Sequence, residues 1–387
     1  MANSVILALS AIPDPRGDRG RRHRLIDVLT IGVLSVLCGA DHWTQMQDFG
    51  ESREPWLRTF LELPHGIPSA DTFGEVFAAI NPDAFEAAFQ AWTRAVAGEL
   101  RGVVAIDGKT IRRSFDAATG KSAVHMVSAW AAENGVVLGQ LSVEGKSNEL
   151  AAIPALLGML RLKGLIVTID AGGCQKALAA QITKQQASYV LAVKDNQPTL
   201  HADVKEMFQW AERRGFAGLR HAQFQQTSKG HGRVEIREVD TLWELGQIST
   251  AGDWPGLSCI VRSRATRIIG KRTATEDRYF ISSVPQRREG DIPNAIRAHW
   301  GIENGLHWVL DVSFGEDSSR VRQRHAAANL SRLRRLTMNI LKLAPPPKTT
   351  RKSIPAKRFI ASLDPDYLNS VLWSMLTEPN HTQTTLR

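Results

Sequence analysis

A chain of 387 residues, 43% hydrophobic and 22% charged, is long enough for two or three domains with cores of their own, and its composition is neither disordered nor fibrous. Three scattered cysteines without a Cys-x-x-Cys pair suggest neither a disulfide framework nor a zinc ribbon, and no apolar run approaches the ~20 residues of a membrane-spanning helix. The net charge of +9 favours a polyanionic partner, because lysine and arginine displace counterions from phosphate.

The opening MANSVILALSAIPDPRG lacks the basic front and long apolar centre of a secretory signal, so a cytoplasmic protein is expected. PRGDRGRRHR (15–24) then concentrates arginine around a single acid, Asp18. LIDVLTIGVLSVLCGA (25–40) reads as a buried amphipathic helix, and WTQMQDFGESREPWLRTFLEL continues the helical character. PHGIPSADTF breaks it, with Ser69 or Asp71 as the cap of the next helix, and PDAFEAAFQAWTRAVAGEL (82–100) is helical again. Residues 1–98 are therefore expected to be a helical, DNA-binding N-terminal domain.

From residue 102 the period changes. GVVAID is a short buried strand, and HMVSAWAAENGVVLGQLSVEG (125–145) is two strands joined at Glu-Asn-Gly. NELAAIPALLGMLRL is a helix, GLIVTID (164–170) a strand, CQKALAAQITKQQ a helix, YVLAVKD (189–195) a strand, and PTLHADVKEMFQWAERRG a helix. A three-stranded meander followed by two helix–strand units is the order of the RNase H-like fold, here expected over 99–215. HGRVEIREVDTLWEL, LSCIVRSRATRI and RYFISSVP make 216–290 β-rich, and these strands read as an insertion before the core resumes at 291–345. That last part holds DIPNAIRAHWGIENGLHWVLD and the arginine-rich RVRQRHAAANLSRLRR (320–335), read as one helix offering Arg320 and Arg322 to DNA. After APPPK, residues 346–387 read as a polar tail with weak order signals.

Asp107 and Asp170 each end a buried strand, and the expected topology makes those strands neighbours. Two unpaired carboxylates that close repel, and are tolerable only with a shared proton or a bound cation. All-oxygen ligation suits Mg²⁺, and two such ions about 3.5–4 Å apart serve phosphoryl transfer. The plainer reading is that strand-end aspartates cap turns. A third acid should come from a helix. Glu303 sits at the edge of the apolar stripe of Ile302, Leu306 and Val309, with Asp311, Glu316 and Asp317 as rivals, the last two better explained by pairing with the arginines at 320–335. His299, Glu303 and His307 share an i, i+4 line, but without an HExxH pattern zinc is disfavoured.

The segments GIPSADTF, VVAIDGKTIRRS, KSNELAAIP, VTIDAGGCQ, YVLAVKDNQ, HGRVEIR, HWGIENGLHWVLDVSFGED and RVRQRHAAANLSRLRR occur in order over residues 14–343. In these the chain resembles the DDE transposases of the ISAs-type insertion sequences, the H-repeat-associated family. The resemblance implies an RNase H-like core interrupted by a β-rich insertion and preceded by a helical associated domain. It implies Asp107, Asp170 and Glu303 as the catalytic, metal-holding acids. It also implies two Mg²⁺ ions that Mn²⁺ can replace, double-stranded DNA (inverted-repeat ends and target) as partner, and a homodimer as the working complex. Cleavage followed by strand transfer is the expected chemistry. Two departures stand out: Gly172 replaces the family's usual methionine beside Asp170, and His325 replaces a common asparagine. Related transposases with a Tyr-Arg-Glu signature carry arginine where His299 stands, so a neutral His299 would grip phosphate more weakly.

Around these acids, Lys109 is either a phosphate contact or a solvated turn lysine. Lys194 and Asn196 follow the fifth strand on the active-site side and are expected to touch DNA. His231 and Arg233 sit in the insertion, where a tip could grip flanking or hairpin DNA. Trp300 and Trp308 are expected in the core, and Cys174 as a packing residue. Two other functions fit the same acids: a decayed element's DNA-binding remnant, and a nuclease of this fold without strand transfer.

Overall fold

The computed structural model describes residues 4–116, 119–145, 148–230, 232–347 and 352–376. Five helices come first: α1 (Val5–Ser10), α2 (Leu25–Leu37), α3 (Trp43–Leu57), α4 (Ala70–Ala79) and α5 (Pro82–Val96). Ser69 caps α4 by accepting the Thr72 amide, and Asn81 caps α5 through the Asp83 and Ala84 amides, with Pro82 in the first turn. α2 is not amphipathic; every residue of it except Ile26 is buried, as befits the middle helix of a bundle.

The strands are β1 (Val103–Thr110), β2 (Val124–Ala131) and β3 (Val136–Glu144), then β4 (Ile166–Ile169) and β5 (Ser188–Val193). α6 (Glu149–Met159), α7 (Lys176–Lys184) and α8 (Pro198–Arg213) lie between and after the later ones. β1 pairs antiparallel with β2 and parallel with β4, and β4 runs parallel to β5, the RNase H-like order. The β-rich segment holds four strands rather than three: β6 (His221–Gly230), β7 (Arg233–Leu242), β8 (Cys259–Ile269) and β9 (Arg272–Ser282). It is not a separate body. β9 pairs antiparallel with β5, Val190 opposite Ser282, so among the described residues nine strands make one sheet in the order β3-β2-β1-β4-β5-β9-β8-β7-β6.

Helices cover both faces of the β1–β5 half of the sheet. Val104, Ile106, Val167 and Ile169 point to the face carrying α6, α7 and α8. Val103 and Ala105 point to the other, where α9 (Asp291–Ile302), α10 (Trp308–Phe314) and α11 (Ala326–Leu343) pack with the N-terminal helices. α12 (Ile354–Leu363) and α13 (Pro365–Leu376) replace the expected polar tail; their Ala361, Leu368 and Val371 enter the same core as Val5, Leu29 and Phe77. One helical core is thus built from both ends of the chain. None of the described helices is long and apolar enough to cross a membrane.

The arginine-rich stretch is corrected most. The helix begins only at Ala326, and Arg332, Arg334 and Arg335 are buried rather than presented to solvent. α11 is wedged between α2, α4, α5 and β3, so its polar residues must find partners inside. Arg335 Nη1 lies 2.9 Å from Glu316 Oε1, Arg332 Nε 3.5 Å from Glu86, and Arg334 donates to the Asp41 carbonyl. Arg320 is exposed; Arg322 is half-buried, donating to the Arg113 carbonyl and lying over the Phe115 ring.

Candidate active site

Side chains alternate along a strand, so Val103, Ala105, Asp107 and Lys109 share one face of β1, and Ile166, Thr168 and the residue after them, Asp170, share that face beside β4. The parallel pairing ends at Ile106 and Ile169, one residue before each aspartate. β1 does not stop at Asp107 as expected. It continues to Thr110 along β2 alone, while β4 ends, which leaves the β4 flank of Asp107 open. Asp170 caps the short 3₁₀ turn Ala171–Gly173, its Oδ1 accepting the Gly173 amide at 3.2 Å. Both carboxylates line a cleft of about 620 Å³, together with Lys194, Tyr279, His299 and Glu303.

Glu303 arrives on a π-helical turn, Glu303–His307, inserted between α9 and α10. Such turns carry one extra residue and recur at functional sites. Ile302 and Leu306 anchor the turn in the core, and Gly305 lets it approach the Trp130 ring. From this turn Glu303 and His307 reach Asp107: one donor atom from each of the three lies within 4.8 Å of the others. His307 is buried, with Nδ1 3.6 Å from Asp107 Oδ2 and 3.6 Å from Glu303 Oε2.

The electrostatics match a place waiting for positive charge. Burial pushes the Asp107 carboxyl up to about 6, with the Glu303 and Asp170 charges adding to the rise and His307 opposing it. The His307 contact holds Glu303 below the usual carboxylate range. Burial lowers the His299 imidazole, whose Nδ1 pairs with the Thr168 hydroxyl at 3.1 Å, so His299 is neutral at pH 7. Two carboxylates and an imidazole converging without a lysine or arginine between them fit a divalent cation.

The rival acids are occupied elsewhere. Lys109 is not a solvated turn lysine. Its Nζ is buried, 2.7 Å from Asp311, 2.7 Å from Asp317 and 3.7 Å from Glu316. Asp317 also meets Arg112, and Glu316 is held by Arg335 and the Ser331 hydroxyl. Among the DNA candidates, Lys194 is exposed at the cleft, and Asn196 donates to the Ala171 carbonyl at 2.6 Å beside the Asp170 turn. Arg233 is exposed at the start of β7 and pairs with Glu235; His231 lies outside the described residues. Trp300 and Trp308 are not core residues: they are 49% and 55% exposed, and Arg278 stacks on the Trp300 ring 4.4 Å from its centre. Cys174 is fully buried. The sequence had already aligned His307 with Glu303, yet its place between two acids emerges only from the fold.

The family model described as "Transposase DDE domain" matches residues 98–340, and the one described as "DDE_Tnp_1-associated" matches residues 6–93. YncI of Escherichia coli O157:H7, named as a transposase, is 39% identical over 380 residues, 96% of this chain and 95% of that one. The H repeat-associated YhhI of Escherichia coli strain K12 is 37% identical over 372 residues, 94% and 96% of the two chains. A shorter relative from strain K12, named an inactive transposase, YbfQ, is 34% identical over 68 residues, 18% of this chain and 81% of its own. A piggyBac transposase synaptic complex with hairpin DNA aligns over 99% of this chain and 84% of its own at 10% identity and a TM-score of 0.37, too loose a likeness to bear on the site. With the DDE domain spanning most of the chain and the H-repeat relatives matching it nearly end to end, this protein belongs to the H-repeat-associated family of DDE transposases.

Proposed function

We propose that the chain cuts and joins DNA at the terminal inverted repeats of its insertion sequence, with Asp107, Asp170 and Glu303 as the acids that hold two Mg²⁺ ions, Mn²⁺ serving in their place. The observation that carries this reading is the convergence of Glu303 on Asp107, beside a strand end that carries Asp170, in one open cleft. Held by Asp107, Asp170 and Glu303, such ions would supply the Lewis acidity that activates a water or a 3′-hydroxyl toward a phosphodiester and the charge that offsets the leaving oxygen. The chain's own part is to hold the acids: β1 and β4 fix the aspartates side by side, and the anchored π turn brings Glu303 over them. His299 is neutral and offers a phosphate a hydrogen bond rather than a charge. Lys194 at the cleft, and Arg320 and Arg322 at the surface, are cations for double-stranded DNA. Transposition joins two element ends, so a homodimer is the working form, bound to the nucleoid when engaged.

The test is metal-dependent cleavage of a labelled duplex carrying the flanking inverted repeats. Wild type cuts at the repeat end, while Asp107→Asn, Asp170→Asn and Glu303→Gln bind the duplex without cutting it. A wild type that cuts but never joins is a nuclease of this fold. One that binds without cutting under Mg²⁺ or Mn²⁺ is a decayed remnant. Gly172 favours looking for the latter: a Cβ there would stand 3.3 Å from Asp170 Oδ1, so glycine removes a side-chain contact from that carboxylate and leaves it the Gly173 amide.

A further inference from the structure

We infer that His307 is a nitrogen ligand of the metal site formed by Asp107 and Glu303, which makes this half of the site a mixed nitrogen–oxygen one that prefers Mn²⁺ to Mg²⁺. The inference rests on the carboxylate reading above. Its first support is spacing. At 3.6 Å, the Nδ1 contacts with Asp107 Oδ2 and Glu303 Oε2 are too long for hydrogen bonds. Ligands about 2.1 Å from one ion stand roughly 3.0 Å apart at right angles and about 3.4 Å apart at the tetrahedral angle. The three side chains are therefore spread slightly wider than an ion between them would draw them. The second support is that the imidazole is committed to nothing else. Its side chain is 7% exposed, Nε2 is buried with no hydrogen-bond partner, and the ring edge that faces polar atoms faces the two carboxylates. A buried imidazole aimed between two acids is a ligand in want of an ion.

The π turn supplies the geometry. It presents Glu303 and His307 from one short segment while Ile302 and Leu306 stay in the core, so the backbone that carries both is fixed and the His307 ring is held by its own burial. The metal preference follows from the donor set. Mg²⁺ binds through oxygen in near-ideal octahedra, whereas imidazole raises affinity for the later first-row ions.

The test uses the full chain labelled with ¹⁵N-histidine, loaded with Mn²⁺ and read by electron spin-echo modulation, with calorimetric Mn²⁺ and Mg²⁺ titrations beside it. The expected result is a directly bound histidine nitrogen in wild type that is lost in His307→Gln. Mn²⁺ affinity falls roughly ten- to a hundredfold, and Mg²⁺ affinity falls less. A wild type with bound Mn²⁺ but no nitrogen coupling, whose Mn²⁺ binding is abolished in Asp107→Asn, overturns the His307 ligand and leaves the carboxylate site standing. Mn²⁺ binding undiminished in Asp107→Asn overturns both. Coupling that survives in His307→Gln assigns the nitrogen elsewhere and also overturns the inference. Should His307→Gln fail to fold, His299→Gln decides: coupling kept there supports His307, and coupling lost there gives the nitrogen to His299.

Discussion

Replacing Arg335 with methionine removes the charge that neutralises Glu316 in the core behind the candidate active site. Both side chains are fully buried, 2.9 Å apart, and the Ser331 hydroxyl completes the carboxylate's contacts. Although burial alone would raise it, Arg335 and then Lys109 hold the Glu316 carboxyl down at about 2. Against a reference of 4.5, a pKa of about 2 corresponds to about 3 kcal/mol of stability at neutral pH. Breaking a buried pair from one side costs about 3–5 kcal/mol in general, and Lys109, 3.7 Å away, softens the loss toward the lower figure. The sign follows from the depressed pKa: the contribution is present above about 4.5 and disappears as pH falls through about 2. Urea unfolding followed by tryptophan fluorescence should therefore place Arg335→Met about 3 kcal/mol below wild type at pH 7, with the gap narrowing on acidification below pH 4.5. The double variant Arg335→Met/Glu316→Gln should recover part of the loss, because a neutral pair leaves no orphaned charge. A single-variant loss under about 1 kcal/mol, or a double variant no better than the single, would refute the reasoning.

Asp311 is neutralised by Lys109, so Asp311→Asn should keep metal-dependent cleavage largely intact in the inverted-repeat assay. Glu303→Gln should lose more than about a hundredfold, the range that even outer partners of a metal reach. Gly305→Ala places a Cβ 3.0 Å from the Trp130 ring and should destabilise by about 1–3 kcal/mol in thermal unfolding, with no change if the π turn can slide. Lys194→Ala should weaken DNA binding uniformly across sequences and reduce the slope of log K against log salt by about 1; an unchanged slope removes Lys194 from the DNA path. Gly172→Met brings a Cβ to 3.3 Å from Asp170 Oδ1 and should raise the cleavage rate without altering DNA affinity if that contact orders the carboxylate; an unchanged rate removes residue 172 from any such role.

The strand pair that carries Asp107 and Asp170 was legible because two apolar runs each end in an acid and the order of elements makes them neighbours. Glu303 and Asp311 could not be separated by spacing, since both sit on the polar flank of one helical stretch; only the fold shows that a lysine two hundred residues away along the chain, Lys109, pairs with Asp311. The pairing of Glu316 with this arginine stretch was legible, but blindness to distant partners made Arg332 and Arg334 look like part of a surface for nucleic acid when Glu86 and Asp41 receive them inside. β6 escaped notice because HAQFQQTSKG lies at the sheet's edge, largely exposed, and needs no apolar alternation. The C-terminal helices were hidden by the polar, proline-rich stretch before them; Ile354, Leu368 and Val371 reach the core only once α2 and α11 provide a surface.

The helical core closed by both ends of the chain sets a timetable for synthesis. α2 is complete at Leu37, but α11, which it packs against, begins at Ala326, and α12 and α13 follow. At about 5–20 residues per second, the roughly 290 residues between take on the order of 15–60 s to emerge. Through that interval α2 packs only against α1, α3 and α4, and the side of it that α11 covers waits for its partner. The strand–helix units of the sheet, with their nearer contacts, are free to settle first. A chain released short of residue 326 carries Glu86 and Glu316 without the helix whose Arg332 and Arg335 receive them in the core.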